Sequence, residues 1–179
     1  MRVLVISDTH GELDNVRKFM SRAVELRPDL IIHLGDNYED ADVLMEEFKV
    51  MRVPGVYEDA YFNPDVPNRI LINLEGWTAL MVHSPTPHEN DQPWDLDPTK
   101  LISRRVVDLV LHGHTHVPRV ERSEVVLVNP GHLKSEDKKG YPPSFAILDA
   151  TGDELRVRIE ELNTGRLLAE GRFSKRASV

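Results

Sequence analysis

The sequence predicts an α/β domain of two packed sheets flanked by helices, on three observations. Apolar strand-like runs and helical patterns alternate early in the chain in the order βαβαβ, the signature of a largely parallel sheet. The rhythm then changes to closely spaced strands and hairpin turns, enough for a second sheet. Chemistry-bearing residues follow the strand-like runs directly, where an open α/β sheet builds its site.

Residues 2–7 read as the first strand. A helix at about 12–26 puts Leu13, Val16, Met20, Ala23 and Val24 on one face, with Pro28 just past its end. The second strand spans about 29–34. A helix at about 39–48 buries Ala41, Leu44, Met45 and Phe48, with Glu39, Asp40 and Asp42 as an acidic first turn that suits the helix dipole. The third strand, about 49–54, stops at Pro54-Gly55. Ile70–Leu74 and Trp77–Val82 form a hairpin around Glu75-Gly76, and the proline-rich stretch from Ser84 to Pro93 is a loop. Asp97-Pro98 is an N-cap and first-turn pair for a short helix through about Val106. Strands follow at Asp108–Leu111, Val117–Arg122, Val125–Asn129 and Ser144–Asp149. A closing hairpin, about Glu154–Leu162 and Arg166–Phe173, turns at Asn163-Thr164-Gly165. The expectation is one domain over residues 1–173 and a frayed tail over 174–179.

Composition narrows the partners. No apolar run approaches the roughly 18 residues of a membrane helix, and the N-terminus does not read as a signal peptide, so a cytoplasmic location is the default. The net charge of −8 argues against a partner such as a nucleic-acid polymer, whereas a small phosphorylated substrate fits if bound cations reverse the local field. With no cysteine, any metal must be held by His, carboxylate or amide groups. Such mixed donors suit Mn, Fe, Zn or Ni better than Mg or Ca. An edge-strand homodimer is compatible with the pattern.

Two histidine-bearing clusters dominate: Ser7-Asp8-Thr9-His10-Gly11 and Leu111-His112-Gly113-His114-Thr115-His116. Between them lie Gly35-Asp36-Asn37, Gly55-Val56-Tyr57-Glu58 and an isolated His83. In order, these blocks resemble the calcineurin-like metallophosphoesterase family, whose motifs run D-x-H, G-D, G-N-H-D/E, H and G-H-x-H. The resemblance spans residues 1–131, including Asn129-Pro130-Gly131, and is strongest to the small bacterial and archaeal phosphodiesterase branch that also holds the retromer scaffold subunit. It implies a four-layer αββα sandwich with two divalent transition-metal ions, Mn first and Fe, Ni or Zn as alternatives. Asp8, His10, Asp36 and His116 would hold one ion, and Asp36, His83 and His114 the other, with Asp36 bridging. A bridging carboxylate keeps the ions roughly 3.5–4 Å apart, and a metal-bridged hydroxide attacks phosphorus in line. His10 is placed among both ligands and catalytic residues.

The third block departs from the family: Val56, which has no donor atom, stands where the family has a metal-ligating asparagine, and Tyr57 stands where it has a histidine. Asn37, Tyr57 and Glu58 are the nearest substitutes for the lost donor. Tyr57, protonated at neutral pH, is a candidate general acid. Asn37 and His132 are candidate substrate contacts, the latter from the turn after Asn129-Pro130-Gly131. His33 and His112 read as structural histidines bonded to backbone, His88 and Lys138-Lys139 as solvated, and Trp94 as either a cover over the site or a loop cap. The leading function is a metal-dependent phosphodiesterase. The alternative is a non-hydrolytic scaffold with a degenerate one-metal site, favoured by Val56. Loops 59–69, 84–97 and 132–143 would set the substrate.

Overall fold

The computed structural model describes residues 1–175. Among the described residues eleven strands form two mixed sheets. The first has the order β11-β10-β9-β1-β2-β3, and the second β4-β5-β6-β8-β7. In the first, β1 (Arg2–Ile6), β2 (Leu30–His33) and β3 (Val50–Arg52) run parallel. β9 (Ser144–Ala150) adds antiparallel to β1, and the hairpin of β10 (Glu154–Glu161) and β11 (Leu167–Ser174) completes the far edge. In the second, β4 (Arg69–Leu74) and β5 (Trp77–Val82) form the expected hairpin. β5, β6 (Leu109–Leu111) and β8 (Val126–Asn129) are parallel, and β7 (Arg119–Arg122) closes antiparallel to β8.

Alternating side chains separate the layers, because a strand buried on both faces sends successive residues to opposite cores. Val3 and Val5 of β1 meet Ala79 and Met81 of β5 between the sheets, joined by Leu109, Leu111, Val126 and Trp77. Leu4 and Ile6 point the other way, onto Val16, Phe19 and Ala23 of α1 (Leu13–Leu26) and Leu44 of α2 (Asp42–Met45). Leu80 and Val82 face Leu101 and Ile102 of α3 (Pro98–Ser103) on the outer face of the second sheet. The result is the αββα sandwich that the motif order implies.

Several elements differ from expectation. The second helix is cut to a 3-10 turn at Tyr38–Ala41 and one short α-helical stretch, leaving Met45 about half exposed. Its segment is occupied in building a turn: the buried Asp40 carboxylate accepts from Gly11 N at 2.8 Å instead of serving as a solvated first-turn acid. Val24 of α1 is exposed, and Asn15 is buried in the helix stripe because its amide donates to Leu133 O at 2.7 Å. α3 ends at Ser103, short of Val106. The frayed-tail expectation fails at Ser174, which pairs in β11, and at Lys175, whose ammonium reaches Gly76 O; residues 176–179 lie outside the described residues. Among the described residues no helix is long and apolar enough to cross a membrane.

Candidate metal centre

Each candidate ligand sits in the turn that ends a strand. Asp8 and His10 follow β1 and Asp36 follows β2, from one sheet; His83 follows β5 and His114 and His116 follow β6, from the other. The backbone is unusual at five of these six. φ is +53° at Asp8, +49° at His10, +50° at Asp36, +66° at His114 and +60° at His116, whereas only Arg27, Glu75 and Arg105 share this region elsewhere among described non-glycine residues. Non-glycine residues enter the left-handed region at a cost, and clustering of that cost marks a functional site.

Hydrogen bonds between the turns hold these conformations. Asp8 N donates to Gly35 O at 2.8 Å and His10 N to Asp36 O at 2.7 Å. Gly113 N donates to His83 O at 3.0 Å, and His114 N to Asp8 Oδ2 at 3.0 Å. Two glycines make the approach possible. A Cβ on Gly113 would lie 1.9 Å from Ser7 Oγ, and one on Gly55 would lie 1.6 Å from Asp36 Oδ1.

The donors converge in two overlapping groups: Asp8, His10 and His116, and Asp8, Asp36 and His83. Asp8 Oδ1 is buried with no hydrogen-bond partner and faces His116 Nε2 at 3.2 Å and His83 Nε2 at 4.0 Å. Asp36 Oδ2 lies 3.5 Å from His83 Nε2 and 3.8 Å from His10 Nε2. His114 Nδ1 is 3.2 Å from His83 Nε2, and the Nε2 atoms of His10 and His116 are also 3.2 Å apart.

Surrounding groups aim the lone pairs. His83 Nδ1 donates to Leu34 O at 2.7 Å and His116 Nδ1 to Asp137 Oδ1 at 2.7 Å, which turns Nε2 of each ring inward as an acceptor. Contact with Asp8, opposed by burial and supported by Asp137, pushes the His116 pKa up. Burial would raise the Asp8 carboxyl, but contact with His116 and the nearby His83 ring outweigh it and hold it below its ordinary value. Inward imidazole lone pairs, a buried carboxylate oxygen without a partner and mixed N/O donors together fit divalent transition metals.

The remaining candidates fall at different depths. Asn37 is exposed beside Asp36, its backbone N held by Thr9 Oγ1 at 3.1 Å. Tyr57 is 68% exposed, and its hydroxyl meets His88 Nε2 at 3.2 Å, so His88 is half-buried and paired instead of solvated. His132 is not placed to touch a substrate. It is 0% exposed, Nε2 faces Tyr141 O at 3.1 Å, and Nδ1 accepts from Lys134 N at 3.1 Å. Its ring backs His116 at a centroid distance of 5.3 Å.

Val56 is buried at 1% exposure. Of the three substitutes for its missing donor, only Glu58 carries a buried oxygen without a partner, Oε1, while Oε2 accepts from Tyr38 N at 3.0 Å. Burial, then the charge of Asp36, pushes the Glu58 carboxyl up to about 7. His112 Nδ1 faces Gly113 O at 3.2 Å, a backbone contact as expected, but His33 meets a side chain, Thr9 Oγ1, at 3.2 Å. Lys139 reaches Thr115 O, so it is not simply solvated. Trp94 is 63% exposed and lines a surface depression with Pro64, Val66 and Pro67, not the metal centre. Asp40 and Asp137, both beyond the motifs, are the supporting residues that sequence reasoning missed.

Residues 1–153 match the calcineurin-like phosphoesterase superfamily domain. A probable metallophosphoesterase of Methanocaldococcus jannaschii is 29% identical over 144 residues, covering 73% of this chain and 67% of that protein. Among solved structures, vacuolar protein sorting 29 from Cryptosporidium parvum aligns at a TM-score of 0.71 and 24% identity, over 97% of this chain and 98% of that one. The Yfce phosphoesterase from E. coli aligns at 0.70 and 22% identity, over 96% and 98%. At these identities the solved structures show a shared fold.

Proposed function

Because the chain belongs to the calcineurin-like phosphoesterase superfamily, we propose that it is a metal-dependent phosphodiesterase with two divalent ions at the seam between its sheets, Mn first among them. The observation that carries the proposal is the convergence of Asp8, Asp36 and inward-facing imidazoles in overlapping groups that share Asp8. Asp8, His10, Asp36 and His116 would hold one ion, and Asp36, His83 and His114 the other, with Asp8 facing both groups. The chemistry supplied when ions are bound there is a lowered pKa for water and neutralised charge on a phosphoryl group. Around them the chain's own residues bind and orient. Exposed Asn37 contacts substrate beside Asp36, His10 lines the open side, and Tyr57 gives a proton to the departing oxygen. The diester preference is supported by the resemblance to the small phosphodiesterase branch. The substrate is a small phosphorylated molecule, and the acidic net charge supports that choice over a polyanion.

The test is Mn²⁺-dependent hydrolysis of bis-p-nitrophenyl phosphate by metal-stripped protein, with His114→Ala as control. Turnover that requires metal and fails in the variant is expected. Val56 favours a second reading, a protein-binding scaffold with one ion. An absence of turnover with every divalent metal, together with one bound ion per chain, would select it.

A further inference from the structure

Tyr57 stands at a family motif position, but nothing in the motif accounts for the histidine that Tyr57 touches. His88 lies in the proline-rich loop after β5, and its two ring nitrogens have different partners. Asn90 N donates to Nδ1 at 3.2 Å, so Nδ1 is an acceptor and the neutral ring carries its proton on Nε2. Nε2 lies 3.2 Å from the Tyr57 hydroxyl. A protonated Nε2 donates to that hydroxyl, which leaves the phenolic O–H free to point away from His88. The rings meet edge to face at 5.1 Å, and the His88 ring stands 6.4 Å from that of His114, which places the pair beside the metal centre.

The loop is built to hold this arrangement. Asn90 Nδ2 donates to Val56 O at 2.9 Å, tying the loop to the residue before Tyr57. His88 N donates to Asp91 Oδ2 at 3.0 Å. Asp91 Oδ1 in turn accepts from the Tyr61 hydroxyl at 2.6 Å and from Arg69, whose side chain is 2% exposed, at 2.6 Å. A mobile surface tyrosine would gain little from one imidazole; one pinned through Asn90 and Asp91 has a fixed direction.

We propose that His88 is a positioning residue that orients the Tyr57 hydroxyl as proton donor to the leaving group, an inference that rests on the phosphodiesterase reading. As the P–O bond breaks, its electron pair passes to the departing oxygen, which takes the proton from Tyr57 Oη. The phenolate left behind is held by the His88 Nε2–H and recovers a proton from water. A hydrogen bond to the charged form is what makes a tyrosine a better acid.

The experiment compares Mn²⁺-loaded protein, His88→Phe, Tyr57→Phe and the double variant on diaryl phosphates whose leaving groups range from p-nitrophenol to phenol. His88→Phe keeps an aromatic ring beside Tyr57 while removing the Nε2 donor and, with it, the Nδ1 acceptor of Asn90 N. Tyr57→Phe should lose about 100-fold on the phenyl ester and far less on the nitrophenyl ester, and His88→Phe about 10-fold with the same leaving-group bias. The double variant should match Tyr57→Phe alone. Equal losses by His88→Phe on every ester, or losses that add to those of Tyr57→Phe, would overturn the inference and leave the hydrolase reading intact. No turnover of any ester by the unsubstituted protein would instead overturn the hydrolase reading and the inference with it. The tautomer is read apart from activity, by long-range ¹H–¹⁵N NMR of metal-free protein. Protonated Nε2 is expected on His88, and protonated Nδ1 would refute the proposed orientation.

Discussion

His33 shows how a residue just behind the site governs behaviour that the motifs do not describe. It is fully enclosed, with Nε2 against Thr9 Oγ1 and Nδ1 without a partner. Burial refuses the charged form and pushes its pKa from 6.5 down to about 3. Between those values the unfolded chain binds a proton that the folded chain does not, so stability is present above pH 6.5 and is lost as pH falls. The loss from His33 between pH 7.5 and pH 5 is about 2 kcal/mol. His33→Gln should flatten that dependence in urea melts of metal-free protein, and an unchanged slope would refute the assignment. His112, pushed by burial down to about 4, leaves a second acid-sensitive component in the variant. At this scale the candidate ligands were legible because each follows a strand, all but His83 within a short motif. Asp137 was not, since Glu136-Asp137-Lys138-Lys139 reads as a solvated charge run and only the folded loop brings Asp137 2.7 Å from His116.

Among elements, the strands were legible, as was the start of α3 at its Asp97 cap, and the second helix was not. Period-2 alternation and buried apolar runs report strands directly, because burial on each face selects the side chain. The segment after Asp36 carries a helical stripe, yet bonds from Gly11 N to Asp40 and from Arg52 to Tyr38 O and Asp42 shape it around the site, and only one α-helical stretch remains. The loop between β5 and α3 is another structure that no periodicity reveals. Arg69 of β4 anchors it by pairing with Asp91 and reaching Leu96 O, while Asn68 Nδ2 donates to Asp95 at 3.0 Å. Arg69→Ala would strand Asp91 and the Leu96 carbonyl in a poorly solvated place. The expected loss is about 3 kcal/mol. Hydrogen exchange should rise over residues 84–97 more than over β5 and β6, and uniform protection in the variant would show that Arg69 does not anchor the loop.

Across the whole molecule, the candidate metal centre lies where the two sheets meet, with Asp8, His10 and Asp36 on one side and His83, His114 and His116 on the other. Ions bound there would cross-link the sheets and couple binding to global stability. Mn²⁺ at about 100 times its dissociation constant should raise unfolding free energy by about 2.7 kcal/mol per site. Calorimetry with and without chelator measures this, and an unchanged midpoint would contradict the cross-link. The two-sheet architecture was legible from the shift in strand rhythm. The antiparallel insertion of β9 beside β1 was not, because alternation marks a strand without naming its neighbour. That pairing matches Val3 with Leu148, residues separated by most of the chain. During synthesis, β1 emerges before β9 and must wait with one edge open until β9 has left the ribosome. The turn carrying Asp8 and His10 is therefore completed late, and a nascent chain halted before residue 144 would expose an apolar strand edge to chaperones and to other copies of itself.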